Sequence, residues 1–356
     1  MATISLCMIV KNESAVLARC LDSIADLMDE IIIVDTGSTD NTKEIAAQYT
    51  SRIYDFKWTS DFSAARNFSF SKATMEYIYT ADADEILDDA NRERFLRLKD
   101  ALLPEIEIVQ MKYVTQGTFD TVLNAKKEYR PKLFRRLRTF TWIDPIHETV
   151  RLTPVTFDSD VEILHCPQSL HSKRDFSIFI KAFEHDGQFS PKIRTMYAKE
   201  LLKTGDKKDF TDAKPIFQLI FDNDPADDAR KEAACVLARI YRMEDNKNEF
   251  FKLTMKDTLT TPCAEICYEL GTYFVGQRDY AEAVLWFYNA AYETESILDV
   301  HTSGDLPLLG LVECYETLLA GEEAKIPSDT ALTIQYEMML DKYREASRDW
   351  RMPEET

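Results

Sequence analysis

Residues 3–10 and 30–35 (EIIIVD) are short, continuous apolar runs, the pattern of strands buried on both faces. Residues 52–56 and 75–80 (MEYIYT) give a third and a fourth strand. Helical spacing fills the gaps between them. Ser14 is placed to cap a helix reaching about residue 25, and Asp40 or Asn41 to cap one reaching Tyr49. Residues 61–73 read as a further helix with a polar face carrying Arg66 and Asn67. This alternation predicts an α/β fold, a mostly parallel sheet covered by helices on both faces. Ligands of such sheets bind beyond the carboxyl ends of the strands. Asp35 stands at one such end, Asp82 and Asp84 at another.

The pattern changes twice further along. From about Ile106 to His165 the runs IEIVQMKYVT, TVLNA, RPKLFRR and VEILHC read as strands of a mixed or antiparallel segment. After about Ser172 the strand pattern disappears, and Ala, Leu, Tyr and Phe recur at helical spacing. Cys267, Leu270, Gly271, Phe274, Ala283, Phe287 and Ala290 match the offsets of a tetratricopeptide repeat, in which small residues let two helices cross closely. Tyr197, Ala198, Ala213, Phe217, Ile220 and Pro225 form a weaker copy, with TGDKKDF in the inter-helix loop, and residues 237–241 a degenerate third. The expected division is therefore 1–170 for the α/β domain and 171–356 for an all-α, tetratricopeptide-like domain.

A chain of 356 residues suits two domains. Its composition, 45% hydrophobic and 29% charged, lets both fold. Acidic residues outnumber basic ones 62 to 43, a net charge of -19, which opposes nucleic acid as a partner. No stretch reaches the ~18 apolar residues of a membrane span. The first apolar run is short and runs straight into Lys11, Asn12 and Glu13, unlike a signal peptide. The seven cysteines are scattered and form no CxxC pair, as in a reduced, cytoplasmic protein. With nine glycines and neither GxGxxG nor GxxxxGK[ST], a nucleotide would have to be held without the usual glycine-rich loops.

The candidate chemistry centres on Asp82-Ala83-Asp84. Two carboxylates one residue apart, where a strand becomes a loop, suit Mg²⁺ or Mn²⁺. An ion so held can bridge the two phosphates of a sugar nucleotide. Asp35, followed by Thr-Gly-Ser-Thr-Asp, can accept hydrogen bonds from a base or a ribose; it can equally be a strand end before a helix cap. Arg66 can pair with a diphosphate or simply face solvent. Glu148 can accept a proton, and an imidazole, His147 or His165, can complete a metal site or serve structure alone.

SLCMIVKNE, EIIIVDTGSTDNT, W-x-x-DFSAARN and DADE, in this order and spacing, resemble the family 2 glycosyltransferases of GT-A fold. IHE, then ILHCP, then a helical-repeat tail, is similar more narrowly to the bacterial group containing the sublancin-type peptide S-glycosyltransferases, and also to lipopolysaccharide-core and flagellin glycosyltransferases. The resemblance covers about the first half of the chain. It implies an inverting hexosyl transfer from a UDP-sugar, UDP-glucose or UDP-GlcNAc, with Mn²⁺ or Mg²⁺. It implies that Val10, Lys11, Asn12, Glu13 and Asp35 line the nucleoside pocket and that Arg66 helps hold base or diphosphate. Asp82 would reach ribose or metal, and Asp84 and His165 would bind the metal. Glu148 would be the base with His147 beside it, their roles open to exchange or sharing. The expected acceptor is a peptide or protein, through a Cys thiol or a Ser/Thr hydroxyl. A surface or lipid-linked glycan is the alternative acceptor, and a non-catalytic repeat scaffold the alternative function. The helical domain would bind the acceptor or form a homodimer.

Overall fold

The structure, a computed structural model, describes residues 1–115, 127–136, 142–143, 146, 149–150, 154–166, 172–260, 262–325 and 329–352. The chain divides into two compact units, Met1–His185 and Asp186–Thr356.

The first unit runs β1 (Ile4–Val10), α1 (Leu17–Ile24), β2 (Glu30–Asp35), α2 (Thr42–Ala46), β3 (Ile53–Asp55), α3 (Phe62–Phe70), β4 (Tyr77–Thr80), β5 (Glu85–Ile86) and α4 (Asp89–Ala101). It continues through β6 (Ile108–Thr115), β7 (Lys127–Arg135), β8 (Trp142–Ile143), β9 (Thr149–Val150), β10 (Thr156–His165) and α5 (Ser172–Asp186). Eight strands form one sheet in the order β3-β2-β1-β4-β7-β6-β10-β5, and β8 and β9 pair separately. β1, β2, β3 and β4 are mutually parallel. β7 runs against both β4 and β6, and β10 lies parallel to β6. The carboxyl ends of β1, β2, β4 and β10 therefore open on one edge of the sheet.

β1 is buried almost throughout because it has neighbours on both sides and helices on both faces. Its alternate residues go to opposite faces. Ile4, Leu6, Met8 and Val10 pack with Leu17, Cys20 and Leu21 of α1 and Phe95 of α4. Cys7 joins Ile32, Val34 and Ile78, with Phe68 and Phe70 of α3 against them. The expected mixed α/β sheet with helices on both faces is what forms.

Several helix starts differ from the sequence reading. α1 begins at Leu17, and its N-cap Val16 makes no side-chain cap bond; Ser14 instead donates its backbone N–H to Asp40 (3.1 Å). α2 has five residues and stops at Ala46, short of Tyr49. α3 starts where expected, with Asp61 accepting from the Ala64 N–H at 3.1 Å, but ends at Phe70. TVLNA lies outside the described residues.

The second unit is all-helical: α6 (Pro191–Thr204), α7 (Lys207–Asn223), α8 (Asp227–Met243), α9 (Lys247–Thr260), α10 (Ala264–Gly276), α11 (Tyr280–Tyr288), α12 (Asp305–Glu323) and α13 (Thr330–Asp349). The two sequence repeats fall on α6/α7 and α10/α11, and the degenerate third on α8. The α6/α7 loop is shorter than read, because Asp206 caps α7 through a capping box with Asp209 and draws KKDF into the helix. The ring of Phe287 fills the gap between α10 and α12. A Cβ added at Gly271 would lie 2.6 Å from its Cδ1, and one at Gly310 2.6 Å from its Cε2. Gly271 and Phe287 belong to the repeat pattern; Gly310 was not legible in it. No helix among the described residues is long and apolar enough to cross a membrane.

Candidate functional site

The loops after β1 and β2 are sewn together by side chains. Asn12 takes a left-handed backbone (φ 57°), which asparagine tolerates better than most residues. Its Oδ1 accepts from the Thr39 N–H at 2.8 Å, and its own N–H donates to Ser38 Oγ at 2.9 Å. The Glu13 N–H donates to Thr42 Oγ1 at 2.8 Å. Asp40 accepts from Ser14 on one loop and from the Thr42 N–H (3.1 Å) and hydroxyl (2.5 Å) on the other. What burial Asp40 has raises its pKa, but these hydrogen bonds outweigh it and bring it down to about 2.

Asp35 ends β2 opposite Val10 and is 1% exposed. Its Oδ1 accepts the N–H groups of Gly37 and Ser38, both at 2.9 Å. Gly37 has φ 104°, which permits this tight turn. Oδ2 is buried and has no hydrogen-bond partner among the described residues. An acceptor left so is destabilising unless a donor reaches it. Val10 is buried beneath this loop pair, and Lys11 is exposed beside it.

The turn after β4 carries Asp82 and Asp84, flanked by buried Ala81 and Ala83. Its backbone is tied down on both sides. The Asp82 carbonyl accepts from the Glu85 N–H (3.1 Å) and from the Cys20 thiol (3.5 Å), and the Asp84 carbonyl from the Cys166 N–H (3.0 Å). Strand pairing sets His165 of β10 opposite Glu85. His165 Nε2 thereby lies 3.1 Å from Asp84 Oδ2. Its Nδ1 is buried with no partner among the described residues, and the Tyr113 ring lies 5.0 Å away.

Basic side chains surround these acids, against the sign of the whole chain. Crowding by protein alone would raise Asp82, but Lys132, then Arg66, Arg130 and His165, hold it below the ordinary carboxylate range. Lys132 is ion-paired with Glu85 at 2.5 Å, and both side chains are nearly inaccessible. Burial raises the Glu85 carboxyl, opposed by Lys132 and aided by Asp82. Arg130 lies 3.7 Å from the centre of the Tyr113 ring. The Arg66 guanidinium lies 4.9 Å from the centre of the Trp142 ring.

Asn67, one residue on, has a different task. Its amide accepts from the Trp142 N–H at 2.9 Å and donates to the Trp142 carbonyl at 3.1 Å. It clasps the segment that leads to His147 and Glu148. Those two residues lie outside the described residues. The structure thus brings the Asp35 loops, Asp82, Asp84 and His165 to one edge of the sheet, with Arg66 on α3 near Asp82. Lys132 and Arg130 escaped the sequence reading, and Asp40, read there only as a helix cap, also ties down the Ser14 backbone. The alternation of Arg130 and Lys132 along β7 is a faint signal that two basic side chains share one face.

The model of glycosyl transferase family 2 matches residues 5–152. A TPR repeat-containing protein of Synechococcus elongatus is 48% identical over 87 residues, 24% of this chain and 22% of that protein. The SPbeta prophage-derived glycosyltransferase SunS of Bacillus subtilis is 33% identical over 132 residues, 36% of this chain and 31% of that one. The lipopolysaccharide core biosynthesis glycosyltransferase LpsC of Rhizobium meliloti is 31% identical over 99 residues, 27% and 33% of the two chains. The chain thus spans a third or less of the length of these relatives. Among solved structures, glucosyl-3-phosphoglycerate synthase from Mycobacterium tuberculosis, in complex with Mn²⁺ and uridine-diphosphate-glucose, is 15% identical over 53% of this chain and 81% of its own, with a TM-score of 0.38. Residues 5–152 are thus similar to glycosyl transferase family 2, and a compact unit that is all-helical among the described residues follows in the same chain.

Proposed function

We propose that the chain is an inverting, metal-dependent glycosyltransferase that moves a hexose from a UDP-sugar to a peptide or protein acceptor. One observation carries the reading: a carboxylate pair, one member 3.1 Å from an imidazole, shares a sheet edge with a buried aspartate whose Oδ2 has no donor among the described residues. A divalent cation fits these residues, since two carboxylates and an imidazole nitrogen are donors that Mn²⁺ and Mg²⁺ accept. Asp84 and His165 would hold it, with Asp82 beside them. Bound there, it would supply a Lewis acid that offsets charge on the departing diphosphate.

The chain's own residues do the remaining work. Asp35 Oδ2 accepts a hydrogen bond from the nucleoside, on the platform that Asn12, Glu13 and Asp40 brace. Val10 and Lys11 line the same pocket. Arg66, with Arg130 and Lys132 behind it, faces the negative charge of the phosphates. Glu148 takes the proton from the acceptor thiol or hydroxyl, with His147 sharing the role. The freed lone pair attacks the anomeric carbon from the side opposite UDP; the bond to UDP breaks, UDP departs with the electron pair, and the configuration at the anomeric carbon is inverted. UDP-glucose and UDP-GlcNAc are the donors to try first. The helical unit would bind the acceptor or pair two copies. The resemblance of IHE, ILHCP and the helical-repeat tail to the sublancin-type peptide S-glycosyltransferases favours a peptide over the glycan acceptor that likeness to the lipopolysaccharide core glycosyltransferase LpsC would suggest. The cysteines fit a bacterial cytoplasm.

Thermal unfolding with UDP, GDP and a UDP-sugar panel, each with Mn²⁺, Mg²⁺ or EDTA, tests the donor site. Binding to the native state raises Tm by mass action. A shift with UDP and Mn²⁺ that vanishes in EDTA supports the reading. No shift with any nucleotide and metal leaves a non-catalytic scaffold in its place.

A further inference from the structure

The helical unit holds a second group of ligating side chains. Cys235 lies within α8, Cys263 is the N-cap of α10, and Glu265 sits in the first turn of α10. The two sulfurs are 3.6 Å apart, and one ligand atom from each of the three residues lies within 4.8 Å of the others. All three residues are buried: 0%, 1% and 2% exposed. We propose that Cys235, Cys263 and Glu265 form a structural site for a thiophilic divalent cation of the Zn²⁺ type.

Two thiolates on tetrahedral zinc, each at about 2.3 Å, stand roughly 3.8 Å apart, and a carboxylate oxygen at about 2.0 Å stands roughly 3.5 Å from each sulfur. The observed sulfur spacing is within a few tenths of an ångström of this. It is far longer than the ~2.0 Å of a disulfide. Glu265 supplies the second, independent observation. Its Oε1 accepts three backbone N–H groups, from Ile297 (2.9 Å), Leu298 (2.7 Å) and Asp299 (3.0 Å), which fixes the carboxylate in place. Its Oε2 is buried with no hydrogen-bond partner among the described residues. A buried, immobilised carboxylate oxygen is destabilising by itself and is satisfied by a cation.

The donor set selects the ion. Thiolates suit zinc, whereas Mg²⁺ and Mn²⁺ prefer oxygen. Binding converts two thiols to thiolates and releases their two protons to solvent. The ion joins α8, the start of α10 and, through Glu265, the 297–299 turn. A site this closed takes up its metal as the unit folds.

Titration of reduced, metal-free full-length protein with Co²⁺ tests this. We expect a thiolate-to-cobalt charge-transfer band that saturates at one equivalent and is displaced by Zn²⁺. The band should be lost in Cys235→Ser and in Cys263→Ser and weakened in Glu265→Gln. The Asp84 and His165 donors contain no sulfur and contribute nothing to it. No band at saturating Co²⁺, or a band that survives both cysteine substitutions, overturns the proposal. X-ray absorption of the zinc-loaded wild type needs no variant. Two sulfur scatterers at about 2.3 Å support the site, and a shell of oxygen and nitrogen alone overturns it.

Discussion

Asn67 engages both backbone polar groups of Trp142, accepting its N–H at 2.9 Å and donating to its carbonyl at 3.1 Å. Seventy-five positions separate the two residues, yet a single side chain does the work of a neighbouring strand. Asn67→Ala leaves both backbone groups without this partner and should destabilise the first unit by about 1–3 kcal/mol. Because the clasped segment leads to His147 and Glu148, transfer should fall further than nucleotide affinity does. Equal losses in both, measured by steady-state kinetics and UDP titration, would remove the special role of the clasp.

Asp84→Ala takes away the proposed metal ligand from a turn whose backbone bonds do not depend on that side chain. Transfer should disappear and the Mn²⁺-dependent rise in Tm with UDP should vanish, while the unliganded Tm stays near wild type. Full activity in this variant would sink the metal assignment. His165→Ala should reproduce the loss of metal dependence.

Glu148→Gln keeps size and polarity but cannot accept a proton. A loss on the order of 10²–10⁴ in kcat is expected if Glu148 is the base. A loss below tenfold would shift the role to His147.

The hydrogen bonds to Asp40 set a pH dependence. Its pKa lies at about 2 when folded, against an ordinary 3.8. Its contribution to stability is therefore complete above 3.8 and is lost as pH falls toward 2. Asp40 is half-buried at the surface, where solvent screens the charge, so the effect is modest. Urea midpoints of wild type should fall more steeply over this window than those of Asp40→Asn. Parallel curves for the two proteins would show that the loop clasp does not depend on the charge.

Gly271→Ala pushes a methyl group into the Phe287 ring, which Gly310 blocks from the other side. Overpacking of this kind destabilises by about 1–3 kcal/mol. Phe287→Leu in the same chain should restore part of that loss. If calorimetry finds Gly271→Ala as stable as wild type, the ring has room that the geometry denies it.

The alternation of buried strands and helices was legible because the central strands are buried on both faces, so EIIIVD and its neighbours are nearly unbroken apolar runs. The closeness of Gly271 to Phe287 was legible for a related reason: repeat spacing fixes which residues of two helices meet. The basic surroundings of Asp82 were not. Lys132 and Arg130 come from a strand that sits beside β4 only after a long excursion, and local pattern carries no trace of that pairing. Helix starts were misread where a side chain found a better partner across the fold. Asp40 bonds the Ser14 backbone, and α1 begins three residues later without a side-chain cap.

His165 meets Asp84 across 81 positions, and between them the chain must lay down β6 and β7 before β10 can join the sheet. Contacts of such sequence separation form late and slowly, since the intervening loop must be closed first. A chain still growing on the ribosome has made both aspartates long before it makes the imidazole. No fragment ending ahead of β10 can assemble this donor set. If this edge holds a cation as proposed, that capacity arrives in one step, when β10 docks, and it reports that the strands before it are in place.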